Sequence, residues 1–179
     1  MERARERLAV VGPITLAVIV LLLFINFGRF AEVAIVMGTL PLALVGGLWL
    51  LYLFGYQLSV AVGVGFIALA GVAVEIGVVM LVYLNQAIGR RTVRSRRDIA
   101  EAVIEGALLR IRPVIMTVAA TIGGLLPIMF STGTGSEVMR RIAAPMVGGM
   151  VSATLLTLAV IPALFQLWQQ RGLEATKPG

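Results

Sequence analysis

The sequence predicts an all-α membrane protein, a bundle of five transmembrane helices with one interfacial amphipathic helix. Three observations carry that class. Of the 179 residues, 59% are hydrophobic and 13% charged. A soluble domain carries about 25% charged residues, so a soluble globular fold is excluded. Five segments supply the roughly 20 apolar residues that a helix needs to cross a hydrocarbon core about 30 Å thick. Their apolar runs are continuous and do not alternate with period 2, so barrel strands fit poorly.

The first span covers 8–27. The basic run "MERARER" before it is not read as a signal sequence, because the apolar stretch is too long and no small-x-small site follows Phe27. Residues 1–7 are instead expected to end an upstream extracytoplasmic region. The second span, 33–54, and the third, 58–84, follow short connections at 26–32 and 55–57, so the first three spans form an antiparallel series. The link 85–112 is long. It carries Arg90, Arg91, Arg94, Arg96, Arg97, Arg110 and Arg112 against Asp98, Glu101 and Glu105. Within it Ile99, Val103, Ala107 and Ile111 recur at helical spacing, the pattern of an amphipathic helix at the membrane surface. The fourth span covers 113–130 and the fifth 142–168, joined through "STGTG" and Ser136, a residue type suited to a helix N-cap. Residues 169–179 form a tail.

Orientation follows from the basic residues. With the long link cytoplasmic, its arginines join Arg29, Arg171 and Lys177 inside. Arg3, Arg5, Arg7, Arg140 and Arg141 fall outside. The positive-inside rule therefore places the N-terminus outside and the C-terminus in the cytoplasm. The net charge of +6 is read as this topology signal and as an anchor for lipid headgroups. No aromatic residue is interleaved with the link arginines, so no nucleic acid is expected as a partner.

The residue inventory removes much chemistry. Cys and His are both absent, which excludes thiolate nucleophiles, imidazole bases, disulfides and Cys/His zinc sites. No Ser/His, paired-Asp or HExxH arrangement exists, and the chain does not read as an enzyme. Glu75 is the charge inside the spans as drawn. An ionisable residue at that depth costs about 2.5–3.5 kcal/mol on insertion scales and persists where it has a task. Gly71 and Ala68 lie one and two turns before it, a small-sided face suited to contact with another helix. Desolvation disfavours the charged form of a carboxyl, which suits a proton relay or ion site. The plainer alternative is a neutral carboxyl in one structural hydrogen bond.

Thr117 and Thr121 share a face of the fourth span with Gly124. Their hydroxyls either bond back to the preceding turn or form a step toward Glu75. Met139, Met146 and Met150 fall within about 20° of one line on a helix. Thioethers suit cuprous or silver ions, and methionine is equally an ordinary core residue. Glycines in "LVGGLW", "TIGGLLP" and "MVGGM" are expected at close helix contacts.

The strings "GFIALAGVAVEIGVVMLVYLNQAI" and "LRIRPVIMTVAATIGGLLPIMFSTGTGSEVMRRIAAPMVGGMVSATLLTLAVIPALF" closely resemble the C-terminal membrane half of heavy-metal efflux pumps of the resistance–nodulation–division superfamily. The copper/silver branch is the most similar. The resemblance covers nearly the whole chain. It implies the last five of twelve membrane helices in an inner-membrane homotrimer that exports cations by proton antiport, with a periplasmic adaptor and an outer-membrane channel as partners. It implies no bound cofactor, and Cu(I) or Ag(I) as the transported ion. By resemblance Glu75 matches the relay carboxylate, Thr117 a relay threonine, and Met139 one half of a methionine pair in a metal relay. Val114 stands where the copper/silver pumps carry lysine, which leaves the metal open.

The expected function is thus the C-terminal portion of a proton-driven metal exporter, inactive alone. Two alternatives belong to different classes: a stand-alone membrane module docking onto a full-length pump, or part of a multidrug exporter of the same superfamily.

Overall fold

The computed structural model describes residues 2–91 and 95–175, with side chains from 10–91 and 95–172. Arg94 of the link and Lys177 of the tail lie outside the described residues, as do the side chains of Arg3, Arg5 and Arg7. Among the described residues five helices follow one another: α1 (Glu2–Phe27), α2 (Phe30–Leu53), α3 (Val60–Gly89), α4 (Arg96–Met129) and α5 (Ser136–Ala175). All five are long and apolar enough to cross a membrane, and the all-α class holds.

Local chemistry sets the helix ends. Gly28 at φ 67° ends α1, with its N–H on the Phe24 carbonyl at 2.8 Å. Gly55 at φ 66° ends α2: Tyr56 N–H reaches the Leu51 carbonyl at 3.0 Å and Gly55 N–H that of Tyr52 at 3.1 Å. This pair of bonds is a Schellman motif, which needs a left-handed residue that glycine adopts without strain. Ser59 caps α3 by accepting from Val62 N–H. Ser95 and Asp98 form a capping box at the start of α4: Asp98 N–H donates to Ser95 Oγ at 3.2 Å and Ser95 N–H to Asp98 Oδ2 at 2.8 Å.

The amphipathic stretch of the link is helical, but it is not a separate element. It runs through Pro113 without a break and forms the first half of α4. Its apolar side, Ile99, Ala102, Val103 and Gly106, is buried. Gly106 meets Ala87, Leu84 and the Tyr83 carbonyl of α3, so protein covers that face. Arg91, just past α3, pairs with Glu101 and Glu105 and ties the two helix ends together.

The long α5 packs against α2, α3 and α4, while α1 packs on α2. Glycines set the closest crossings. A Cβ on Gly46 would run into Ser152, one on Gly65 into the Ile142 carbonyl, and one on Gly149 into Leu69. Such close backbone approach, with no hydrophobic force between helices in lipid, is how membrane helices gain packing energy. The glycines of "LVGGLW" and "MVGGM" are therefore close-packing positions. Gly123 and Gly124 of "TIGGLLP" are not: open space surrounds both.

Candidate functional site

Glu75 lies on the face of α3 opposite its buried stripe of Leu69, Ala73, Ile76 and Met80. Its side chain is exposed, as is Gly71 one turn earlier, and a Cβ on Gly71 would meet nothing within 4 Å. The small-sided face read from the sequence is present, but no helix among the described residues covers it. Glu75 makes no hydrogen bond or ion pair among the described residues.

Thr117 sits level with it. Gly106 of α4 lies against Leu84 and Ala87 of α3, and the two helices run antiparallel. Eleven residues beyond Gly106 along α4, and nine to twelve back along α3, bring Thr117 and Glu75 to one depth. Between the helices, Val114 and Val118 close on Leu69 and Ile76, with Met150 of α5 filling the far side. Glu75 and Thr117 occupy the outer flank of this α3–α4 pair, away from α5. With Gly71 and Gly124 they make a flank of small and polar residues open to another helix. The Thr117 hydroxyl donates to the Pro113 carbonyl at 3.0 Å and that of Thr121 to the Thr117 carbonyl at 2.8 Å. Both threonines thus bond back to their own helix, and neither reaches Glu75.

Val114 is 3% exposed within this apolar cluster. The methionine line splits. Met150 is fully buried core, Met146 half-buried, and Met139 is 48% exposed in the first turn of α5.

A second carboxylate belongs to the site. The sequence assigns Glu32 to the connection 26–32, whereas in the structure it lies in the first turn of α2 with 2% exposure. Its Oε2 accepts from Asn85 Nδ2 of α3 at 3.0 Å, and Arg29 stands 3.9 Å from Oε1. The Arg29 guanidinium rests 5.6 Å from the centre of the Trp168 ring on α5, within cation–π range. The group borders an open recess of 480 Å³, shared by the end of α1, the start of α2 and the last turns of α3. A signal was available: Glu32, Val36, Thr39, Ala43 and Gly47 recur at helical spacing and form the buried face of α2.

Comparison with known proteins agrees with this architecture. A family model described as the AcrB/AcrD/AcrF family matches residues 1–169. The cation efflux system protein CusA of Escherichia coli K12 is 52% identical over 178 residues, which cover 96% of this chain and 17% of CusA. The SilA protein of Salmonella typhimurium is 51% identical over the same share of the chain. A crystal structure of a heavy metal efflux pump superposes with a TM-score of 0.83 at 42% identity, covering 95% of this chain and 17% of that one. The chain therefore spans about 17% of the length of the curated relatives that it matches. The family model covers nearly the whole five-helix bundle, and the chain belongs to the AcrB/AcrD/AcrF family.

Proposed function

We propose that this chain is the C-terminal membrane portion of a proton-driven heavy-metal efflux pump of the inner membrane and supplies part of its proton relay. The observation that carries the reading is the position of Glu75: mid-span, exposed, unpaired among the described residues and level with Thr117. A carboxylate facing hydrocarbon alone is expensive. Its open, small-sided flank suits a helix from the rest of the pump, against which Glu75 gains and loses a proton and Thr117 offers its hydroxyl oxygen as an acceptor. Met139, exposed at the opposite end from the arginine-rich link, is a thioether available to Cu(I) or Ag(I) as cargo. In this reading the link faces the cytoplasm, copies assemble as a trimer, and an adaptor and outer-membrane channel complete the route.

The test is a chimera in which this chain replaces the corresponding segment of CusA, expressed in a silver-sensitive cell. The chimera should confer silver resistance and its Glu75→Gln variant should not. Equal resistance from both, at equal protein level, would remove Glu75 from the relay.

A further inference from the structure

We propose that the recess bounded by Glu32 is an aqueous port through which protons pass between Glu75 and the solvent at the arginine-rich end. The proposal rests on the relay reading of Glu75 and adds to it a second acid and a location.

Position is the first argument. Val82 and Gln86, which line the recess, are seven and eleven residues beyond Glu75 on the same helix. At 100° per residue both fall within about 20° of the Glu75 direction, and Val82 is about 10 Å below it. The recess thus lies on the Glu75 face of α3 and brings solvent-accessible space to within two turns of that carboxyl.

The second argument is chemical. Glu32 is an acid buried at the end of an apolar bundle, and an ionisable group inside a membrane bundle is a candidate for an ion or proton pathway. Its surroundings suit reversible proton transfer. Arg29 stands 3.9 Å from its Oε1, on a side chain that is 61% exposed to water. Asn85 donates one hydrogen bond, which the protonated acid also accepts at its carbonyl oxygen. α1 adds the Asn26 carboxamide and α3 that of Gln86, while α5 adds Trp168 beneath Arg29. Among these neighbours Arg29 is the charged group. One proton leaves the Glu75 carboxyl, crosses water to the Glu32 carboxylate and loosens its pair with Arg29. Release to bulk water restores the Glu32 carboxylate and its pair with Arg29, whose guanidinium stays charged throughout, and no electron moves.

The CusA chimera in proteoliposomes, loaded with a pH-sensitive dye and driven by Ag(I), tests this. Glu32→Gln keeps an acceptor for Asn85 and loses the acid together with its ion pair to Arg29. It should slow proton flux about ten-fold, abolish its dependence on pH at the arginine-rich side, and leave the KM for Ag(I) unchanged; Glu32→Asp should recover most of the flux. Wild-type flux and pH profile in Glu32→Gln would overturn the port while loss of flux in Glu75→Gln keeps the relay. Retained flux in Glu75→Gln would overturn the relay and the port with it. A variant independent of Glu32 guards against misfolding. Val82→Cys, in a chain with no native cysteine, should react with a charged thiol reagent from the arginine-rich side only, and the adduct should slow flux. Absence of labelling at Val82→Cys would also overturn the port.

Discussion

A Cβ placed on Gly148 of α5 would stand 2.6 Å from the carbonyl oxygen of Gly46 on α2. Next to this crossing, Ser152 Oγ donates to the Ala43 carbonyl at 3.2 Å, so the two helices meet backbone to backbone.

Gly148→Leu should therefore force α2 and α5 apart. Overpacking of this kind costs about 1–3 kcal/mol or more. The expected result in detergent is a lower midpoint of thermal aggregation and a broadened size-exclusion peak. Gly123→Ala, at a position with open space, should leave the midpoint unchanged or raise it slightly, since alanine favours helix by about 1 kcal/mol over glycine. Equal behaviour of the two variants would contradict the crossing.

Glu75→Gln and Thr117→Val should leave thermal stability unchanged. Glu75 has no partner among the described residues, and the Thr117 hydroxyl bonds only its own helix, at the Pro113 carbonyl. Stability shifts stay within about 0.5 kcal/mol for substitutions away from packing contacts. A large drop in either variant would show that the exposed flank already holds the bundle together.

Ser95→Ala removes half of the capping box at the start of α4 and should cost about 1 kcal/mol locally. Hydrogen exchange over the first turn of α4, read by mass spectrometry, should accelerate about five-fold, with no change at Val118. Uniform acceleration along the helix would instead mean that the cap governs global stability.

Met139 and Met150 differ in exposure, 48% against none. Dilute peroxide should convert Met139 to the sulfoxide well before Met150, as peptide mass spectrometry can follow. Ag(I) should slow oxidation at Met139 if its sulfur binds the ion, and oxidation unaffected by Ag(I) would remove Met139 from the metal route.

The five spans were legible because hydrocarbon thickness imposes one length on every crossing helix. Residues such as Ile99 and Val103 also announced their helix correctly. What they could not announce was its continuation through Pro113, because a proline reads locally as a boundary even where a membrane helix tolerates it. Glu75 and Thr117 were found as types and shown to share a depth. The absence of any cover over them is a tertiary fact with no local signature. Glu32 reads as part of a loop because a charged residue within a turn's length of Gly28 and Arg29 resembles one. Only its phase with Val36, Thr39 and Ala43 places it inside.

The unbroken α4 has a mechanical consequence. Its 34 residues extend about 50 Å, some 20 Å more than the oily slab they traverse. The excess projects as a spindle whose arginine-rich half is clasped to α3 by Arg91 and the Glu101–Glu105 pair. Any torque applied at that protruding handle is delivered, with no joint to absorb it other than a single proline, to the depth that Thr117 shares with Glu75.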